Sequence, residues 1–97
     1  MKMPEDNWSN WLDFNQEYFK DIPESAGVFM MHQAMKILFI GGSENIKKTI
    51  IELSTNDCIR KATRFKYRNE ENFEKTRLEL IGDFKKRHEG NLPDCMQ

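Results

Sequence analysis

The sequence lacks three features that would each have named a class of protein. No apolar run approaches the ~20 residues of a membrane span, so we expect a soluble, cytoplasmic protein with no membrane partner. Cys58 and Cys95 form no CxxC pair, and no secretory leader is apparent, so we expect free thiols in a reducing compartment. Neither charge is in excess, because 15 Lys+Arg face 16 Asp+Glu. The overall charge therefore identifies neither a nucleic-acid binder nor an acidic partner.

Two short apolar runs, at residues 27–31 and 36–40, lie at the centre of what the sequence does contain. Both are apolar at successive positions, which predicts a hairpin covered on both faces. The tip between them has no Asn-Gly or Gly pair, so we expect a longer loop built on a type I turn. His32, at this tip, has no neighbouring metal ligand and is interpreted as a solvated or half-packed side chain.

Helical spacing predicts three helices around this hairpin. Trp8, Trp11, Leu12 and Phe19 approximate one stripe and predict a helix over residues 6–20, whose indoles pack into a core rather than stack on bases. A second helix follows Ser43 as its N-cap and ends near residues 54–57. A third follows Asn69 and runs to about residue 88, where a glycine and a proline end it. The 97 residues suit one small domain, residues 1–97, with a helical extension at 1–25 and a core at 26–97.

Residues 63–68 alternate between two faces and predict a third strand. Basic residues are concentrated here, with no acid between positions 60 and 68. Three of them would project from one face about 6.6 Å apart, as a row that could follow a phosphate backbone. A solvated face on an edge strand explains the row equally well. With two lysines of the second helix, the candidate nucleic-acid-binding residues are Lys47, Lys48, Arg60, Lys61, Arg64, Lys66 and Arg68.

The hairpin resembles the signature of the GIY-YIG nuclease superfamily. Gly27-Val28-Phe29 stands in the place of the first triplet, and Phe39-Ile40-Gly41 in the place of the second. Residues 41–48 look like the loop and helix that follow in that family, and residues 92–96 resemble its proline-containing C-terminal segment. The resemblance implies a small α+β domain with a three-stranded antiparallel sheet flanked by helices. The N-terminal helix is extra to that fold.

The resemblance also implies metal-assisted phosphodiester hydrolysis, with Mg²⁺ as the cofactor only if the family's metal site is retained. Tyrosine hydroxyls, an arginine, a lysine and a metal-binding glutamate carry that chemistry in the family. Here most of those positions are substituted, and the late asparagine is replaced by Met96. Glu79 is the best match to the metal-binding glutamate, and Glu74 is the next. The family's catalytic positions fall on Phe29, Phe39, Gly42, Thr49 and Glu79.

Three functions remain open from the sequence. The first is a catalytically degenerate GIY-YIG-like domain that binds nucleic acid without cutting it, and the substitutions favour this one. The second is an active, divergent, metal-dependent endonuclease. The third is a protein–protein interaction domain that docks on a partner through its hairpin and aromatic residues.

Overall fold

The structure, a computed structural model, describes residues 8–97. It is a small α+β domain in which an antiparallel sheet lies between helices. Two short 3₁₀ turns, Ile59–Lys61 and Asp94–Met96, accompany the regular elements. In chain order the elements are β1 (Leu12–Asp13), α1 (Gln16–Phe19), β2 (Gly27–Gln33), β3 (Lys36–Ser43), α2 (Ile46–Leu53), β4 (Arg64–Asn69) and α3 (Phe73–Arg87).

The sheet has four strands in the order β1-β4-β2-β3, where the sequence predicted three. The additional strand, β1, pairs with β4 at Leu12↔Phe65. Beyond it, the Ser9 N–H donates to the Tyr67 carbonyl at 2.8 Å. β4 is therefore an internal strand between β1 and β2, and the interpretation of its basic residues as the face of an edge strand is wrong.

The central hairpin is confirmed, but its turn is not the predicted one. β2 and β3 pair antiparallel from Gly27↔Ser43 to Gln33↔Lys36, which leaves only two residues in the turn. Ala34 and Met35 both have positive φ, of 49° and 69°. This is the backbone of a primed turn, whose twist matches that of the flanking strands. The register of the apolar strands outweighs the cost of placing two residues other than glycine in the left-handed region.

The sheet face that α2 covers is a closed apolar core. Phe29, Met31 and Phe65 project from this face and are fully buried. Ile46 and Ile50 of α2 pack against them and are also fully buried, as the helical spacing predicted. The rest of this core comes from the loops, α1 and β3: Phe19, Ile22, Leu38, Ile59 and Ala62.

Helix α3 covers the opposite face. Gly42 belongs to this face because it pairs with Val28, and a Cβ at Gly42 would lie 3.3 Å from the carbonyl oxygen of Phe73 at the start of α3. Val28 and Ile40 are buried here, as is Ile81 of α3. Both faces of the hairpin are thus covered, as the uninterrupted apolar runs predicted.

The predicted N-terminal helix is wrong for residues 8–20, and residues 6 and 7 lie outside the described range. This stretch contains β1 and the one-turn helix α1, which Asn15 caps. Trp11 packs as predicted, but it does so by stacking on His32 with ring centroids 4.1 Å apart. His32 lies within β2 and is half-buried by this contact. The residues with helical spacing do not share one face: Trp8 and Trp11 lie beside Lys66, whereas Phe19 is buried in the core on the α2 side.

Helices α2 and α3 begin a few residues later than the sequence predicted. The N-cap of α2 is Asn45, whose side chain accepts the Lys48 N–H, rather than Ser43. Helix α3 begins at Phe73 because β4 continues through Asn69, which the sequence had assigned as the cap. Its C-terminal end is as predicted, since Gly90 has a φ of +85° and donates its N–H to the Lys85 carbonyl.

The expectation of free thiols is wrong, because Cys58 and Cys95 form a disulfide. It joins the C-terminal segment, which contacts β3, to the loop after α2. Two other contacts fix the same segment: the Ile40 N–H donates to Met96 Sδ at 3.4 Å, and Lys36 pairs with Asp94 at 2.6 Å. A lasting disulfide is at odds with the reducing compartment that the sequence suggested. No helix in residues 8–97 is long and apolar enough to cross a membrane.

Candidate functional site

A groove of about 320 Å³ crosses the outer edge of β3 at its two glycines, and we call it the glycine-edge groove. One wall belongs to the α2 side of the sheet and the other to α3. Four of the five family catalytic positions line it. Its lining residues are Phe29, Phe39, Ile40, Gly41, Gly42, Thr49, Leu53, Glu74, Arg77 and Met96.

The two phenylalanines that replace the family tyrosines lie side by side. The rings of Phe29 and Phe39 have centroids 6.1 Å apart and lie 19° from parallel. Gly41 provides the space for them, because a Cβ there would lie 2.5 Å from Phe29 and 2.7 Å from Phe39. Phe29 is fully buried, whereas Phe39 is half-exposed. Phe39 is therefore the one of the two rings that a ligand can touch.

Hydroxyl groups lie at the α2 wall of the groove. Thr49, at the family's arginine position, shares a 2.6 Å hydrogen bond with Ser43 Oγ. Ser43 Oγ also accepts the Asn45 N–H at 3.0 Å, so the two hydroxyls are fixed by the turn that leads into α2. Thr49 can offer a neutral hydrogen bond to a ligand, but it cannot supply the charge of an arginine.

A guanidinium reaches the groove from α3 instead. Arg77 lies one helical turn after Glu74, and its Nε is 3.9 Å from Glu74 Oε1. The side chain of Arg77 is 29% exposed and that of Glu74 is 71% exposed. Arg77 was not among the site residues selected from the sequence. Its i, i+3 spacing from the alternative glutamate was the available signal.

Glu74 is the carboxylate that lines the groove, whereas Glu79, the preferred match from the sequence, does not. Glu79 is exposed further along α3. At Gly42 the family has a lysine. Here a Cβ would already lie 3.3 Å from Phe73 and 3.5 Å from Arg77 Cβ, so the start of α3 fills that space. The start of α3 therefore lies against this edge of β3 and brings its own cation, Arg77, to the groove.

The donor set of the groove does not fit a resident Mg²⁺. Glu74 is the only carboxylate among its described lining residues, and the Arg77 guanidinium lies beside it. Residues 8–97 contain no group of three His, Cys, Asp or Glu side chains placed to hold a metal ion. Mg²⁺ favours oxygen ligands in an octahedral arrangement, and a neighbouring cation opposes its binding.

The basic row of β4 is engaged within the protein. Arg68 pairs with Glu70 at 3.0 Å, and Arg64 lies 3.8 Å from Asp13 of β1. Between them, the Lys66 ammonium lies 4.7 Å and 4.8 Å from the ring centroids of Trp8 and Trp11. Partial burial lowers the pKa of Lys66 from its usual value. The indoles thus partly cover Lys66 and Arg68, whereas Arg64 remains exposed.

The other four candidate basic residues do not form one surface with this row. Lys47 donates to the Lys20 carbonyl at 3.0 Å, and Arg60 lies 3.5 Å from Asp57. Lys48 and Lys61 are exposed on α2 and on the first 3₁₀ turn. None of the seven lines the glycine-edge groove.

No family model, curated protein or solved structure matches this chain. The likeness to the GIY-YIG superfamily therefore remains a prediction from the two triplets and their surroundings.

Proposed function

We propose that this protein is a catalytically degenerate GIY-YIG-like domain that binds nucleic acid without cutting it. The glycine-edge groove is the proposed contact with the phosphate backbone. The observation that supports this most strongly is convergence: Phe29, Phe39, Gly42 and Thr49, chosen from a sequence resemblance, line one groove together with a guanidinium.

Arg77 is the proposed phosphate ligand. Its Nε faces Glu74 at the long distance of 3.9 Å, so the remaining N–H groups can form a bidentate contact with a phosphate. The half-exposed ring of Phe39 gives a base or sugar an apolar surface at the same site.

The absence of cutting follows from the side chains that are present. Neither Phe29 nor Phe39 has a hydroxyl to position or deprotonate water. Glu74 is a single carboxylate beside a cation, which disfavours a divalent ion. Loss of one catalytic group typically costs about 10²-fold or more in rate, and groups that act together fail together.

The binding test is fluorescence anisotropy with labelled single-stranded RNA and with single-stranded, duplex and branched DNA at low salt. Arg77→Ala should weaken binding about tenfold, as expected for the loss of a charge-assisted phosphate contact. It should also make the salt dependence of log affinity shallower by about one phosphate contact. Lys86→Ala is the matched control, because it removes the same charge from an exposed position on the same helix.

Two outcomes contradict the proposal. One is undetectable affinity for every probe at low salt. The other is equal binding by Arg77→Ala and Lys86→Ala, which would place any nucleic acid elsewhere. Cleavage is tested separately with Mg²⁺ and Mn²⁺, and none above background is expected. Metal-dependent cleavage that Glu74→Gln abolishes and Glu79→Gln preserves would establish an enzyme instead.

A further inference from the structure

A second groove, of about 330 Å³, lies on the α3-covered face of the sheet, and we call it the aromatic groove. Met30, Ile37 and Ile40 line its sheet side. Trp11 lines it from the N-terminal segment and Phe84 from α3. A groove of this size with an apolar lining is within the usual range for small-molecule sites.

The charges in this groove favour an anion. Lys66 and Arg87 line it, opposed by the single carboxylate Asp83. Within residues 8–97 neither cation forms an ion pair with a carboxylate. Lys66 is held beside the two indoles rather than in solvent, and the resulting desolvation lowers its pKa. Lys66 is thus partly desolvated, and an anion bound beside it would offset the cost of that desolvation.

We propose that the aromatic groove binds a small planar organic anion, with its carboxylate or phosphate at Lys66 and Arg87 and its ring against the apolar side between Trp11 and Phe84. This site shares only Ile40 among its lining residues with the glycine-edge groove and does not depend on nucleic-acid binding there. Carboxylate and phosphate share the required chemistry, which is a negatively charged oxygen group on a flat apolar body.

The test is a titration of ¹⁵N-labelled full-length protein followed by NMR, with the indole N–H of Trp11 as the principal reporter. The probes are 1-naphthoate, which carries a carboxylate on a ring, and AMP, which carries a phosphate on one. Adenosine and inorganic phosphate each present one half of that chemistry. We expect saturable shifts at Trp11 and Phe84 for at least one full probe, and weaker binding of the half probes. The full probe that binds identifies the anionic group.

Variants give the sign of the charge effect. Lys66→Met retains the stem beside the indoles and should weaken binding about tenfold, as should Arg87→Gln. Asp83→Asn should tighten binding about twofold to fivefold, because it removes a carboxylate that repels the ligand. Lys86→Met, at an exposed site on α3, should change nothing. Unshifted amide signals elsewhere in each spectrum establish that the variant is folded.

Three results would overturn the proposal. The first is the absence of saturable shifts from either full probe up to about 10 mM, which corresponds to no useful affinity. The second is unchanged binding in Lys66→Met. The third is adenosine binding as tightly as AMP when 1-naphthoate fails to bind, which would make the groove a neutral stacking site.

Discussion

The two faces of the sheet are built by different means although they share the same strands. On the α2 side, Phe29, Met31 and Phe65 are fully buried in a cluster with no charged members. On the α3 side, Val28 and Ile40 are buried in the same way, but β4 contributes three basic residues and β2 a histidine. Trp8 and Trp11 contact the histidine and two of the basic residues, Lys66 and Arg68, through their rings, and Arg64 stays exposed.

This difference shows that strict alternation in a strand need not mean that its polar face meets water. The long stems of Lys66 and Arg68 lie along the sheet, and indole rings can cover them because a cation is attracted to an aromatic face. Such a face is held by weaker, more separable contacts than an apolar core. It is also where an open groove with unpaired cations remains, which is why we place a ligand there.

The largest expected effect on stability comes from truncating one aromatic side chain to alanine on each face of the sheet. Phe65→Ala should lower the free energy of unfolding by about 3–5 kcal/mol, because it leaves a cavity in the closed core. Trp11→Ala should cost only about 1–2 kcal/mol, since it removes one stacking contact and one cation–π contact. Urea unfolding of both variants measures the comparison. Equal losses would mean that the two faces are equally cohesive.

The next largest effect on stability concerns the disulfide, which joins the loop after α2 to the C-terminal segment. Cys58→Ser with Cys95→Ser should lower the free energy of unfolding by about 3 kcal/mol, because the bond closes a loop over a sequence separation of 37. Trp11→Ala should lose less than this. Thiol titration of unreduced wild-type protein should find no reactive cysteine, and two reactive thiols would restore the original expectation of a reduced pair.

The hairpin and α2 could be predicted because their apolar patterns are local and uninterrupted. The N-terminal segment could not, since the spacing of Trp8, Trp11 and Phe19 fits a helix although these residues flank a short edge strand. The prediction of the hairpin turn was wrong for another reason. Primed turns are recognised in a sequence by Asn and Gly, and here Ala34 and Met35 adopt the positive φ instead.

The residues that the strands contribute to the candidate site could be predicted from the sequence, whereas those that α3 contributes could not. Phe29, Phe39 and Gly42 follow from two triplets whose pairing is fixed by the hairpin register. The placement of Glu74 and Arg77 in the groove depends on where α3 begins. The sequence predicted a cap at Asn69, whereas the helix begins at Phe73. The disulfide was missed because no local spacing relates cysteines so far apart in sequence.

The smallest expected effect is on the pH dependence of stability, and it tests whether Lys66 is desolvated. Burial lowers the pKa of Lys66 below 10.5, whereas the unfolded chain keeps the ordinary value. Between the folded-state pKa and 10.5 the unfolded state binds more protons, so this residue makes stability rise with pH in that window. Its charge penalty is fully present below the folded-state pKa and is lost as the pH approaches 10.5.

Lys66→Met should therefore reduce the rise in unfolding free energy as the pH approaches 10.5 from below, relative to Lys86→Met, which removes an exposed lysine from α3. Both variants keep every other group that titrates in this range, so the difference between them isolates Lys66. An NMR titration of the Lys66 side chain should give a pKa below 10.5. A pKa at or above that value, or equal pH dependence in the two variants, would mean that the indoles do not desolvate this cation. The α3 side would then be an open polar face after all.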